Sequence, residues 1–390
     1  MKLGQIISVL NFGLSSQQSR AEFSRRLEPL FNAAPAVGND ALFKVIDSEL
    51  GAAGRRMIAR IEDEPIATAS IGQVYRATLR DGRQVAIKVQ YPSAREAVRA
   101  DLKNLALLVR LRKSFYPVRG LDAVMDEVRQ QIEMELDYRL EWASHRAVFD
   151  AYRGHPVFVI PEPVDELCTE RVLVTDFING TELHKYSPAD QVERDRLGEA
   201  IYRFYCGGMY TAGRFCADPH PGNILVLADQ RVAFLDFGLY VQMSREAVEV
   251  QRAVLAAAMN ADASTAHALA REAGFITDAE AMPAQMTLDY MNAVAGWYLQ
   301  PGVVQITDKT AHKVLAQAML PRSDFRDSIF KQRMLGTHAF SRRTEMGVCA
   351  LLGALQARNN WHSIAAEWAF GSPTSTDMGR AIAEYTAGQA

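Results

Sequence analysis

Long apolar runs are missing from this 390-residue chain. The longest uncharged ones, such as AVLAAAM and GVCALLGAL, fall far short of the ~20 residues a membrane-spanning helix needs. Any membrane contact is therefore expected to be peripheral. Cysteine is scarce: Cys168, Cys206, Cys216 and Cys349, with no CxxC pair among them. In so long a chain they read as reduced, mostly buried thiols from a reducing compartment. An excess of charge is also lacking. The net charge of −3 leaves no overall basic footprint for nucleic acid, so no nucleic-acid partner is expected. The opening MKLGQIISVLNFGL has one basic residue, Asn11 interrupts its apolar run, and no small-residue cleavage site follows directly. It reads as an amphipathic first helix, not a secretory signal. There is no internal repeat and no low-complexity linker.

What is present is ordinary globular composition, 48% hydrophobic and 23% charged, in a chain too long for one core. Two or three packed units are expected. Residues 1–62 read as helical, because SRAEFSRRLEPLFNAA and DALFKVIDSELG space apolar positions three and four apart, with Gly51 and Gly54 breaking the pattern. SIGQVYRATLRDGRQVAIKVQYP then switches to strand composition, and Asp81-Gly82 between two β-rich runs signals a hairpin that Pro92 closes. Ala94 to Phe149 reads as helices. VFVIPEPVDELCTERVLVTDFING returns to short strands. After Gly180 the chain reads as almost wholly helical, apart from two apolar runs within 214–240. The expected fold class is α+β. A helical extension over 1–62 precedes a small β-containing N-lobe over 63–177 and a largely helical C-lobe over 178–390. That is the bilobal plan of protein kinases.

The segment RFCADPHPGNILVLADQRVAFLDFGLY carries the chemistry. Phosphoryl transfer needs Mg²⁺ among nucleotide phosphates and a group that orients the attacking hydroxyl or water. Mg²⁺ takes oxygen ligands and keeps several waters, so one carboxylate and one amide oxygen suffice. In kinase-like sites the aspartate of D-x4-N faces the nucleophile while its asparagine and the DFG aspartate hold metal, roles that Asp218, Asn223 and Asp236 fit. ILVL and VAFL read as strands joined by an ADQR turn, which folds Asp236 back beside Asn223. Asp218 and Asn223 alone read as a common Asx-turn in a Pro/Gly loop. The combination at hairpin spacing favours chemistry.

VAIK at 85–88 adds weight. Alternation along a strand puts Ala86 and Lys88 on one face and Val85, Ile87 and Val89 on the other. A small Ala86 can cover an adenine while Lys88 reaches phosphates, although an edge-strand lysine is also common. The preceding ATASIGQV, residues 67–74, stands where a phosphate-covering loop belongs, yet Gly72 is its one glycine. Alanines resist positive φ, so this loop is expected to be stiffer than a glycine-rich one. QQIEMELDYRLEWAS offers Glu133, Glu135, Asp137 and Glu141 as partners for Lys88. On a helix Asp137 and Glu141, four apart, share a face. A solvated acidic face is the plainer reading, but the interleaved Met134, Leu136, Tyr138 and Trp142 require part of it to be buried.

Together these motifs resemble the UbiB/ADCK (AarF-domain) family of atypical kinase-like proteins. The resemblance runs through KLGQ at 2–5, ATASIGQVY at 67–75, VAIKVQYP at 85–92, ELDYRLEWAS at 135–144, DPHPGNIL at 218–225 and LDFG at 235–238. It implies that Lys2, Gly4 and Gln5 are the family's KxGQ motif, on a helix folding over the cleft where a protein kinase binds peptide. It implies that Glu135 and Asp137 are the ExD motif holding that helix near the nucleotide, and that Glu141 pairs with Lys88. Ala67, Thr68, Ala69 and Ser70 correspond to the alanine-rich loop, with Thr68 where a small residue is usual. VLVTDFI resembles the hinge, where backbone groups of Asp176 and Ile178 meet adenine. Little chain precedes KLGQ, and the C-terminal membrane segments of UbiB-type members are not seen. A cytoplasmic protein, soluble or loosely peripheral on a membrane, is the expectation.

No Ala-Pro-Glu motif follows DFG, and SREAVEVQRAVLAAAM leaves no room for a long activation loop. The resemblance thus implies ATP and Mg²⁺ as cofactors and an ATPase-like activity supporting isoprenoid lipid biosynthesis, ubiquinone above all. ATP/ADP, a lipid or quinone-precursor ligand and biosynthetic enzymes are the implied partners. Two alternatives stay open. One is a small-molecule kinase, since DPHPGNIL also resembles the catalytic loop of aminoglycoside and choline phosphotransferases, although KLGQ and ATAS argue against it. The other is a nucleotide-binding scaffold without turnover.

Overall fold

The computed structural model describes residues 38–69, 71–100, 136–319, 325–332 and 336–389. The described chain divides into two compact units. The first runs up to Ala151 and takes in Pro161–Ile178; the second holds Tyr152–Ile160 and everything from Asn179 onward.

The first unit is built on helix α1 (Asn39–Met57) and strands β1 (Ile58–Ala69), β2 (Gly72–Leu79) and β3 (Gln84–Gln90), followed by helix α2 (Tyr138–Tyr152). Strand β4 (Phe158–Val159) belongs with the second unit, and β5 (Val172–Asp176) completes the first. The sheet order is β1-β2-β3-β5, antiparallel throughout. Its core follows from two periodicities. Leu42, Val45 and Ile46 of α1, spaced by three and four, pack with Val85, Ile87 and Val89 of β3, spaced by two. The turn between β2 and β3 places Gly82 at φ 92°, a conformation glycine adopts without strain. The sequence placed helix as far as residue 62. The helix ends at Met57 instead, because IARI turns apolar side chains toward β2 and pairs Ile58 with Leu79.

In the second unit β6 (Thr181–Glu182), β8 (Ile224–Val226), β9 (Val232–Phe234) and β4 form a small sheet in the order β4-β9-β8-β6. A two-stranded ladder pairs β7 (Arg214–Cys216) with β10 (Tyr240–Gln242), and another pairs β11 (Val304–Gln305) with β12 (Arg358–Asn359). The two apolar runs expected within 214–240 are β8 and β9, and the remaining short ladders add to them in an otherwise helical unit. Segments of two or three residues are too short to show a period. The helices are α3 (Gln191–Tyr202), α4 (Arg245–Met259), α5 (Ala263–Glu272), α6 (Ala284–Leu299), α7 (Asp308–Met319), α8 (Arg326–Lys331), α9 (Gly336–Leu355), α10 (Trp361–Phe370) and α11 (Asp377–Ala387).

Helix α3 starts on the side chain of Asp190, which accepts from Glu193 N–H, and continues through a π-helical turn at Arg203–Gly207. Arg203 there is buried between Glu199 (2.7 Å) and Glu367 (2.7 and 2.9 Å). The helix then runs into β7 so closely that a Cβ on Gly208 would lie 2.1 Å from the carbonyl oxygen of Arg214. Only glycine permits that approach, and it delivers the chain to Asp218.

Candidate functional site

The first unit holds one group of expected site residues. Val85, Ile87 and Val89 are fully buried, so Ala86 and Lys88 occupy the opposite face of β3. Gln90 shares the Lys88 face and donates to the carbonyl of Leu136 at 3.2 Å. Tyr138 N–H donates to the carbonyl of Glu170 at 2.9 Å. Those two bonds hold the first turn of α2 against β3 and bring Glu141 to Lys88. The ammonium meets both carboxylate oxygens, at 2.6 and 2.8 Å, and lies 4.9 Å from the centre of the Tyr138 ring. Glu141 is 8% exposed, so the pair is strengthened by the low dielectric around it.

Asp137 departs from expectation. It precedes α2 rather than riding on it, and shares no helical face with Glu141. Its carboxylate accepts from the Arg139 N–H at 3.0 Å and from the Arg139 guanidinium at 2.8 and 2.7 Å. The Arg139 hydrogen bonds hold its pKa below the usual carboxylate range. An aspartate just before a helix satisfies free N–H groups, and that competes with a place in the first turn.

The expected phosphate-covering loop is also different. Ala67, Thr68 and Ala69 lie in β1, paired with Val74, Gln73 and Gly72 of β2. With no glycine among residues 67–69 the backbone there stays extended and in register with β2, beyond the register shifts between Ile58 and Ala67. Gly72 has another purpose: a Cβ there would sit 2.0 Å from the carbonyl oxygen of Val89. At the end of β5, Asp176 N–H donates to the carbonyl of Glu162, and its carboxylate accepts from Arg83 at 2.6 Å. Ile178 follows two residues later and is half-buried. Lys2, Gly4, Gln5, Ser70 and Glu135 lie outside the described residues, as does Glu133.

The second unit holds the other group. Pro221–Asn223 form a 3₁₀ turn in which His220 Nδ1 accepts from Gly222 N–H at 3.1 Å, and Asn223 N–H donates to the His220 carbonyl. The β8–β9 hairpin pairs Ile224 with Phe234, and Leu235 N–H donates to the Asn223 carbonyl at 3.0 Å. Asn223 and Asp236 therefore flank the open end of one hairpin, 3.3 Å apart between Nδ2 and Oδ2. The other Asp236 oxygen accepts from Gly238 N–H at 2.9 Å. Asp218 pairs with Arg343 of α9 at 2.7 Å. Sequence reasoning missed Arg343, Gln90, His220 and Arg83. Nothing in a local pattern marks an arginine 125 positions away as the partner of Asp218.

Among the described residues no three His, Cys, Asp or Glu side chains cluster as a metal site. One carboxylate and one amide, the amide turned so that its oxygen faces inward, suit a hard cation that keeps much of its own water. Cys216, close by in sequence, is not a nucleophile: burial pushes its thiol well above the ordinary range. Cys206, Cys216 and Cys349 are buried and all four cysteines are free.

An antiparallel sheet unit bearing a strand lysine paired with a helix glutamate, and a mainly helical unit bearing D-x4-N and DFG on a hairpin, define a kinase-like fold. The chain belongs to the ABC1 atypical kinase-like domain family, which it matches over residues 29–270, and so to the UbiB/ADCK group that its motifs resemble. It is similar to atypical kinase COQ8B, mitochondrial, of Danio rerio: 27% identical over 72% of this chain and 45% of that protein. It is 28% identical to AarF domain-containing protein kinase 1 of Xenopus laevis, over 62% of this chain and 46% of that one. The chain spans about half the length of these curated relatives. A solved structure of Rv3197 from Mycobacterium tuberculosis in complex with erythromycin matches with a TM-score of 0.70 and 28% identity, over 96% of this chain and 93% of that one. Among the described residues no helix is long and apolar enough to cross a membrane.

Proposed function

We propose that this protein binds Mg-ATP and hydrolyses it, as an ATPase supporting isoprenoid lipid biosynthesis of the ubiquinone type, and does not phosphorylate proteins. The observation that carries the reading is the hairpin end that sets Asn223 3.3 Å from Asp236, five residues after Asp218. In this reading Asp218 orients the attacking water, and its 2.7 Å pairing with Arg343 keeps it aimed. Lys88, fixed by Glu141, meets the phosphates. Asn223 and Asp236 hold Mg²⁺, whose charge offsets that of the phosphates when it is bound. Ala67, Thr68, Ala69, Ser70 and Ala86 pack on the nucleotide, and backbone groups of Asp176 and Ile178 meet the base. Lys2, Gly4, Gln5, Glu135 and Asp137 regulate access.

The segment after DFG supports the exclusion of peptide substrates. Tyr240–Gln242 pairs at once with Arg214–Cys216, and Ser244 caps α4. Six residues between Gly238 and Arg245 leave no activation loop to hold a peptide. The test is phosphate release from ATP, with and without liposomes and a phenolic quinone-precursor analogue, beside a peptide-library assay. Hydrolysis is expected to rise with the lipid components while peptides stay unlabelled. Robust transfer to a protein in trans overturns the ATPase reading, and label on the analogue's hydroxyl identifies a small-molecule kinase.

A further inference from the structure

The second unit encloses a cavity of about 140 Å³ among α4, α5, α6 and α9, open to solvent on one side. Apolar cavities of about 150 Å³ hold a benzene-sized molecule. Most of the lining is apolar, with Val254, Met282 and Met291 contributing. Gln251 also lines it, is 9% exposed, and has a buried Oε1 without a hydrogen-bond partner among the described residues. A buried acceptor left unpaired costs about 1–3 kcal/mol, so it calls for an explanation.

The charged groups at the cavity pair with each other. Glu345 accepts from Tyr210 and Tyr298 hydroxyls, each at 2.9 Å, and lies 3.7 Å from Arg342. Arg342 also faces the Tyr290 ring at 5.4 Å. An anionic headgroup reaching Arg342 would stand beside the Glu345 carboxylate, and a cationic one would compete with Arg342 for it. A hydroxyl would do neither, and because it both gives and takes a hydrogen bond it satisfies the Gln251 amide in either orientation.

We infer that this cavity is a binding site for an uncharged, compact apolar molecule carrying one hydroxyl, with Gln251 as the hydrogen-bonding residue that selects it. The site uses none of the residues assigned to nucleotide, so the inference stands apart from the ATPase reading.

The experiment uses the full chain without nucleotide, carrying ¹³C-methyl methionine, titrated with three probes followed by NMR. Cyclohexanol is expected to shift the Met282 and Met291 methyl signals saturably and leave Met243 unmoved. Fluorocyclohexane, similar in size but without O–H, is expected to bind at least fivefold more weakly, and cyclohexanecarboxylate to show no saturation. In Gln251→Leu the first two probes are expected to bind alike. Three results overturn the inference: no saturable shift of Met282 and Met291 with cyclohexanol, carboxylate binding equal to that of the alcohol, or an undiminished alcohol preference in Gln251→Leu. If that variant does not fold, the ranking of the three probes on the wild-type chain decides alone.

Discussion

Lys88 and Glu141 meet 53 positions apart in the chain, at 2.6 Å, with the glutamate almost wholly buried. Removing one partner of such a pair leaves an uncompensated charge, which costs about 3–5 kcal/mol. Lys88→Met is therefore expected to lower unfolding stability by about 3 kcal/mol in urea titrations, and Lys88→Met with Glu141→Gln to recover part of it. Equal losses in the single and double variants would remove the ion pair as the cause. Asp236→Asn keeps the shape of the side chain but not its charge. It is expected to lower ATP affinity at least tenfold, about 1.4 kcal/mol, in Mg²⁺ and to leave the affinity in EDTA unchanged. An unaltered Mg²⁺ titration would count against Asp236 as a metal ligand. The face of β3 that carries Lys88 was legible from alternation alone. The fastening of Glu141 was not, since it depends on Gln90 and on the Leu136 carbonyl of a distant turn.

Among the elements, the β1–β2 hairpin of the first unit and helix α9 of the second each carry a test of the proposal. Ala69 pairs with Gly72 at the hairpin tip, so Ala69→Gly frees backbone at the one place where the strands turn. A changed ratio of ATP to ADP affinity is expected in calorimetric titration, and identical titrations would separate the hairpin from nucleotide binding. Helix α9 approaches the Asp218 segment so closely that a Cβ on Gly347 would sit 2.5 Å from Pro219 Cγ. Gly347→Ala is expected to cost about 1–3 kcal/mol through overpacking and to lower ATP hydrolysis by displacing Asp218 from Arg343. Full hydrolysis by a folded Gly347→Ala would show the loop tolerant of that push. The elements themselves were mostly legible: the Asp-Gly hairpin, the paired apolar runs around ADQR and the amphipathic α1. The misplacements came where local rules compete. Asp137 fits a helical face by spacing but the position before a helix by its side chain, and the N–H groups it satisfies decided the matter.

At the scale of the whole molecule, residues 152–160 leave the first unit and fold with the second. His155 anchors them. It stacks on Phe158 at 4.3 Å, and its Nδ1 accepts from the N–H groups of Val157 and Phe158 at 3.1 and 2.9 Å. Tyr385 of α11 packs on the ring at 4.7 Å and donates to the Arg153 carbonyl. Burial lowers the His155 pKa to about 4, so the folded protein keeps the ring neutral. The unfolded chain takes up a proton near pH 6.5 and the folded one does not until about pH 4. Stability is thus full above pH 6.5 and falls as pH drops through that window, by roughly 3 kcal/mol in all. Urea unfolding of the second unit from pH 7 to 4.5 is expected to show this slope, and His155→Leu to flatten it. A slope of the same steepness in the variant would assign it to other groups.

The amino-acid sequence by itself determined which chemistry is on offer and most of the local structure. Alternation, helical spacing and turn residues act within a few positions, and D-x4-N, DFG and VAIK carry their residue types in order. Only the tertiary structure decided the partners: Arg343 for Asp218, Arg83 for Asp176, and the cavity beside Gln251. Those pairings form where packed helices and strands bring distant segments together, and the free energy of that packing is shared across a whole core, so no short window of sequence contains it.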